Sequence, residues 1–544
     1  MNTLDYSTLV VFSLLIFGSG MAFYRSGSSV KSFFAAGGSV PYWLSGLSLF
    51  MSFFSAGTFV VWGSIAYDHG WVAITIQWMM GLSGFVIAYF IAPRWKRLNI
   101  ITVAEFLTNK YGHGARKFYS YIFLVLSITY TGAFLYPVAK LINVATPLTI
   151  ESSIILLGCI IVAYTAVGGL WAVIITDVLQ FVILSAGIII LVVLTFQKIE
   201  TFTFFEKNTP KDFFDLLNGE YSLLFMIAFA LYNTAFIGGN WAYVQRYTSV
   251  RSEKSARNVG ILFGVLYLIS PVLWMIPPMA YRAMNSSLSG LENEGAYLLI
   301  CKEVLPSGVL GLMLGGMIFA TASSVNTTLN TSAAVFTNDV FVKLYQKCSD
   351  IQLIKVGRIA TIVFGILTII FALFVDNIGG IVEVVLSIGA ITGVPLYGPP
   401  IWALFSKRQT MFSLVAATVL GLSMGIFFKF ITPLTFDFTL TRAEEMFVGV
   451  IVPLLVLAYF EWIHKGASYD LPDQVMTTKA VVTPTIEDNN QNVFAIKVVS
   501  ITITIIGAII TGLGILAEFG DTITIIVGVC TVLLGICIQK YAKY

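Results

Sequence analysis

Ala320, Ser323, Ser324 and Thr327 stand at i, i+3, i+4 and i+7, the spacing that stacks side chains on one face of a helix. They belong to a polar stretch, TASSVNTTLNTS (321–332), in which nine of twelve residues carry a hydroxyl or a carboxamide. The run before it, GVLGLMLGGMIFA, is apolar enough to enter a bilayer. A bilayer core offers such groups no water, so they need partners in the protein or a ligand. The Ser323 and Ser324 hydroxyls and the Ala320 carbonyl, joined by backbone carbonyls from another helix, would make a cage of hard oxygens without net charge. That cage suits a small monovalent cation, sodium first, better than a divalent ion, which usually takes carboxylates. Thr328, Thr331 and Ser332 lie beyond the reach of one ion and are expected to bond helix to helix.

The missing carbonyls must come from a helix that unwinds. SLFMSFFSAGTFVVWGS (48–64) gathers Ser52, Ser55, Gly57 and Thr58 at the middle of an apolar segment, and unwinding there would release carbonyls near Met51 and Phe54. A second interruption, LYNTAFIGGNW (231–241), carries Asn233, Thr234, Gly238, Gly239 and Asn240. Each opens a block of five expected spans. Paired interruptions in corresponding helices of two halves mark the binding site of many transporters. The pattern predicts an all-α membrane protein with a LeuT-type 5+5 inverted repeat, one extra N-terminal helix and several extra C-terminal ones.

Composition agrees with that class. Apolar residues make up 57% of the 544 and charged residues 11%, with a mean hydropathy of +0.88; a typical soluble domain has about 25% charged residues. About fifteen transmembrane helices are expected. The chain divides into an N-terminal helix and lead-in (1–40), a first repeat (41–197), a second repeat (222–406), peripheral helices (411–463), a polar cytoplasmic linker (464–492) and two C-terminal helices (494–544). Of the 31 Lys and Arg residues, 23 fall on one side of this arrangement and 8 on the other. The positive-inside rule then puts the N-terminus outside and the C-terminus in the cytoplasm of a cell-membrane protein. The net charge of +3 resides in short loops and gives no reason to expect nucleic acid; the lipid bilayer is the expected partner. Five cysteines without a CxxC pattern argue against disulfides and metal centres. No HExxH, GxSxG or phosphate-loop signature appears, so an enzyme is not expected.

Several stretches together resemble the sodium:solute symporter family. SFFAAGGSVPYWLSGLSLFMSFFSA (32–56) is similar to its first core helix and lead-in, and ITVAEFLTNKYG (101–112) to its cytoplasmic loop. VGGLWAVIITDVLQ (167–180) is the most specific match, through Gly-Gly and Thr-Asp-x-x-Gln. NWAYVQRY (240–247) has the Gln-Arg of the family, and SSVNTTLNTSAAVFTND (323–339) resembles its sodium-site helix. The resemblance implies a sodium ion held by the carbonyls of Met51, Phe54 and Ala320 and the hydroxyls of Ser323 and Ser324. It also implies a second sodium in some members, whose aspartate falls on Asp177 and whose hydroxyl positions fall on Asn326 and Thr327.

On the solute side the family's positions fall on Thr58, Gln77, Met80, Tyr267 and Leu386, with Asn233 retained, and Phe236 stands at the inner gate. Ser55, Thr58, Gln77, Asn233, Phe236 and Tyr267 are therefore the expected solute contacts, with Trp78 and Tyr130 offering further ring faces. The implied activity is sodium-coupled import of a small polar organic solute, such as a sugar, sugar acid or monocarboxylate, by alternating access. The rival readings are a solute-sensing receptor on the same fold and a channel; neither a signalling domain nor a ring of filter residues is legible. Oligomeric state is not legible either.

Overall fold

The computed structural model describes residues 1–23, 38–100, 102–199, 201–345, 348–374, 381–464 and 486–541. Residues 32–37 of the lead-in and 465–485 of the expected linker lie outside them. Among the described residues the chain forms helices and no strand; isolated bridges join Val40 to Val250 and Asn218 to Tyr221. Twelve helices are long and apolar enough to cross a membrane, and one bent pair makes a thirteenth. The expected spans 41–67 and 151–168 fall short as single helices for different reasons. The first is interrupted, and the second is the short apolar stretch Ile150–Ala163.

The helix α1 (Thr3–Met21) opens with a capping box, in which Asn2 and Asp5 satisfy each other's backbone N–H. The interrupted span follows as α2 (Tyr42–Met51), a π-helical turn (Thr58–Trp62) and α3 (Gly63–His69). Next come α4 (Val72–Arg97), the loop helix α5 (Val103–Tyr111) and α6 (His113–Ala145). The sequence leads one to expect two helices between 151 and 197; helical bonding instead runs unbroken through α7 (Ile150–Ile199). Gly168 and Gly169 lower helix propensity but keep their N–H groups, so they need not interrupt the ladder as proline would. A straight helix of that length would reach about 75 Å, more than twice a bilayer core. Its two apolar stretches, Ile150–Ala163 and Leu170–Ile199, correspond to the two expected crossings.

The second interrupted span is α8 (Leu223–Gly239) and α9 (Trp241–Thr248), which meet at Asn240 with a bend of 61°. The chain continues through α10 (Glu253–Met284), α11 (Val309–Val335), α12 (Asp350–Ala372), α13 (Ile381–Phe405), α14 (Met411–Phe436) and α15 (Arg442–Ile463). The last pair, α16 (Ile486–Leu516) and α17 (Asp521–Tyr541), touch closely, because the Gly528 Cα stands where a methyl would lie 2.4 Å from the Thr511 hydroxyl. This pair leans on α1 through Ser19–Thr502 at 3.1 Å and Phe23–Phe494 at 5.2 Å between rings.

Burial separates centre from rim. The apolar window of α11 is 94% buried, whereas those of α14, α15 and α17 are 28% buried. Outer helices instead turn Leu14, Ile366, Leu434 and Leu533 outward, the surface a hydrocarbon solvent requires. The span that carries the polar stretch is thus the most enclosed among the described ones.

Candidate functional site

The break after α2 is built from its own side chains. Phe53 and Phe54 close the helix end by donating to the carbonyls of Phe50 and Met51 at 3.1 and 3.0 Å. The next three N–H groups find hydroxyls: Ser55 donates to Thr58 Oγ1 at 3.1 Å, Ala56 to Thr321 Oγ1 at 2.7 Å, and Gly57 to Ser55 Oγ at 3.1 Å. The carbonyls fare differently. Those of Ser52 and Phe54 both lie 3.0 Å from the Ser324 hydroxyl, which has one proton to give. One turn back on α11 lies Ala320, and the neighbouring Ser323 hydroxyl is buried beside the Asp177 carboxylate. Two carbonyls thus share a single proton. Phe54, Ala320, Ser323 and Ser324 gather as the sequence leads one to expect, but Ser52 takes the place given to Met51, whose carbonyl accepts from Phe54.

A buried ion pair stands one turn further along α11. Asp177 of α7 and Arg246 of α9 approach to 3.7 Å, and neither side chain is exposed. The Ser48 hydroxyl donates to Asp177 Oδ2, and Arg246 Nε donates to Ser48 at 2.8 Å. Arg246 also donates to Thr327 Oγ1 at 2.9 Å, so α2, α7, α9 and α11 meet at one guanidinium. Asn326 Oδ1 accepts from Thr165 rather than facing Asp177 with a free oxygen. Of the four groups expected around a second sodium, Asp177 and Ser323 are buried side by side, while the oxygens of Asn326 and Thr327 accept from Thr165 and Arg246. Further along, Thr331 bonds Gln245 of α9 and Ser332 bonds Ser127 of α6, as interhelical contacts. Thr328 does not; it bonds back to Ser324 O in its own helix.

Beside the break lies a cavity that is partly open to solvent. Ser55, Thr58, Asn233, Phe236 and Tyr267 all line it, together with Met80 and Leu386. Gln77 does not. Its amide oxygen accepts the buried Trp274 indole N–H at 3.1 Å and its nitrogen donates to Ala73 O at 3.2 Å. A buried indole donor needs an acceptor, and Gln77 supplies it. Trp78 is likewise elsewhere, donating to Leu268 O, and Trp62 offers its ring to the cavity instead. Phe236 stacks on Tyr232 at 5.4 Å and 16°, with the edges of Phe53, Tyr243 and Tyr397 around it at 5.5–6.0 Å.

The profile of the sodium:solute symporter family matches residues 33–421. The chain belongs to that family. Its relatives include the sodium/sialic acid symporter NanT of Aliivibrio fischeri, 26% identical over 84% of this chain and 92% of the relative. Another is sodium/glucose cotransporter 1 of Mus musculus, 26% identical over 78% of this chain and 71% of the relative. Among solved structures, the substrate-bound outward-open state of a Na+-coupled sialic acid symporter covers 86% of this chain and all of its own, with a TM-score of 0.74 at 21% identity. That likeness carries the fold, the LeuT-type arrangement. The relatives are transporters rather than enzymes, and sodium is the coupling ion of this symporter family.

In this symporter two site residues escaped the sequence. Thr321 stands three residues before Ser324 and so shares its face of the helix, yet the Ala56 N–H it serves was not expected there. Arg246 was visible as the family's Gln-Arg without a role; the signal that called for it was the lone Asp177 in an apolar segment. An ionisable group inside the membrane calls for a partner of opposite charge.

Proposed function

We propose that this protein imports a small polar organic solute of the sugar, sugar-acid or monocarboxylate size class, driven by sodium entering with it. The observation that carries the reading is the acceptor-rich cluster of Ser52, Phe54, Ser323 and Ser324 oxygens at a helix break that also borders the cavity. A cation shared by two carbonyls and two hydroxyls relieves that imbalance and ties α11 to α2. The carbonyl of Ala320, one turn back on α11, serves as a further ligand.

In this reading sodium binds from the outside and stabilises the outward-open arrangement. Solute then occupies the cavity against Asn233, Tyr267 and Phe236, with Thr58 and Ser55 holding the break. The repeats 41–197 and 222–406 rock against each other, and the stacked Phe236 must leave its neighbours before solute exits. Cytoplasmic sodium is dilute, so release there is downhill, and an inside-negative potential adds roughly 2.3 kcal/mol per charge per 100 mV. The protein then sits in the cell membrane with its N-terminus outside. Counterflow of labelled solute in proteoliposomes tests this: a carrier exchanges solute against its gradient in a sodium-dependent way. Binding without exchange would leave a sensing receptor, and flux without counterflow a channel.

A further inference from the structure

A second recess opens on the other side of α8. Leu231, Thr234 and Ala235 of α8, Val394 and Ile401 of α13 and Leu454 of α15 form its walls. Trp402, Phe405, Ser406 and Glu461 line its end. Leu231 and Phe405 are exposed, so the recess is an open groove on the surface that meets hydrocarbon. Val394 and Phe405 are separated by about 16 Å of helix rise, which takes the groove from the interior of the span to its edge. That edge is the side of the loop helix α5, because Lys110 donates to the carbonyls of Ala403 and Ser406 at 2.6 Å each.

The apolar walls end in charge of both signs. Glu461 Oε2 accepts the Trp402 indole N–H at 3.1 Å, the Ser406 hydroxyl at 2.5 Å and the Gln409 amide at 2.9 Å. All three fall on one oxygen, which leaves the acceptor capacity of Oε1. A tie between α13 and α15 needs that one bonded oxygen and no charge. Elsewhere in the helices an acid meets a cation: Asp177 has Arg246, and Glu445 has Lys429 at 3.1 Å. Among the described residues no Lys or Arg forms an ion pair with Glu461. An ionisable group at the hydrocarbon edge calls for a partner. Beside it, Arg94 of α4 lies 4.1 Å over the Phe405 ring with Nη1 on Phe90 O at 2.7 Å, and Arg408 is exposed on the same loop.

We propose that this groove binds one phospholipid with a primary ammonium head group, phosphatidylethanolamine. An acyl chain lies against Leu231, Ala235 and Leu454, the ammonium donates to Glu461 Oε1, and the phosphate faces Arg94 and Arg408. Charge-assisted hydrogen bonds make the site selective. A choline head carries the same charge without an N–H, and a glycerol head carries no cation. The lipid packs behind the helix that serves transport, since Ala235 lines the groove while Asn233 and Phe236 line the central cavity. Ile401, another wall residue, stands where a methyl on Gly239 at the second break would lie 2.9 Å away.

The full chain, delipidated in detergent, tests this by native mass spectrometry. Dioleoyl-phosphatidylethanolamine, its N-methyl and N,N-dimethyl forms and dioleoyl-phosphatidylcholine compete at equal concentration. The series keeps tails, phosphate and charge while removing N–H donors one at a time. The expected result is one tightly held ethanolamine lipid, preferred over the choline lipid by roughly tenfold, the size of one hydrogen bond to a charged group, with the methylated forms between. Glu461→Gln keeps an oxygen for the three internal donors and should bring the preference to within about twofold. Leu231→Trp fills the groove from an exposed position and should remove the tightly held lipid. Equal binding of the ethanolamine and choline lipids by the unaltered protein overturns the proposal, as does a preference that persists in a folded Glu461→Gln or Leu231→Trp protein. Tighter binding of dioleoyl-phosphatidylglycerol than of the ethanolamine lipid also overturns it, because the arginines alone would then hold the head group.

Discussion

The break between α2 and α3 and the break between α8 and α9 use the same vocabulary of Ser, Thr, Asn and Gly, and they resolve their loose backbone in different ways. At Asn240 the chain seals itself. The Asn240 side chain takes Ala242 N–H, the Trp95 indole donates to Gly238 O at 2.8 Å, and the Tyr247 hydroxyl donates to Ile237 O at 3.2 Å. After Met51 the N–H groups are satisfied as completely, but two carbonyls converge on one serine proton. An excess of donors would invite an anion; this excess of acceptors invites a cation. The lesson is that a broken helix is not a site in itself. Which of its orphan groups stay orphaned decides what binds.

The largest effect should come from removing the shared donor. Ser324→Ala takes away one oxygen from the ion and the hydroxyl that Ser52 O and Phe54 O share. Hydrogen bonds and contacts to charged groups contribute about 1.5–3 kcal/mol, so sodium affinity should fall roughly 10- to 100-fold. Ser323→Ala should show a smaller loss of the same kind. Sodium titration of solute uptake reads both, with protein abundance near normal because alanine favours the helix. Unaltered sodium dependence in both variants would remove the ion from this break.

A next smaller effect tests the second break as a moving joint. A methyl at Gly239 would stand 2.8 Å from the Tyr397 carbonyl and 2.9 Å from Ile401, and backbone cannot swing aside as a flexible side chain can. Gly239→Ala should cost about 1–3 kcal/mol of strain, slowing turnover several-fold while sodium affinity shifts less than about threefold. If sodium affinity falls as far as in Ser324→Ala, the two breaks are not separable and the comparison fails. Asn240→Ala probes sealing alone. Loss of a helix cap costs about 0.5–2 kcal/mol, visible as a lower unfolding temperature in detergent with sodium affinity unchanged.

Much of this was legible because it follows from periodicity and composition. The i, i+3, i+4, i+7 face of α11 predicted which hydroxyls point together, and the Ser-Gly-Thr cluster predicted where α2 ends. What was hidden depends on which atom a neighbour needs. Gln77 was expected in the cavity, but Trp274, nearly two hundred residues away, claims its oxygen. Met51 was expected to lose its carbonyl's partner, but a tighter last turn moved the freed oxygen to Ser52. Thr321 closes the Ala56 N–H across two helices, a pairing that no local pattern encodes.

The smallest expected effect concerns a second ion, and it carries the comparison from backbone to side chains. Asp177 already has a cation 3.7 Å away in Arg246, so the pair is close to neutral in a buried place. A sodium added beside them would leave one net positive charge out of water, which is costly unless the guanidinium withdraws. Thr327 is held by that same guanidinium and Asn326 by Thr165, so two of the four expected ligands would have to change partners. The expected ratio is therefore one sodium per solute, read from reversal potentials or dual-isotope flux. Thr327→Ala removes an acceptor from Arg246 and not from the ion; it should shift sodium affinity no more than a few-fold, about 1 kcal/mol for a lost hydrogen bond, and leave the ratio at one. A wild-type ratio near two that drops towards one in Thr327→Ala would restore the second sodium to Asp177, Ser323, Asn326 and Thr327. It would also mean that Arg246 leaves Asp177 when the ion arrives, making that guanidinium a moving part of the cycle.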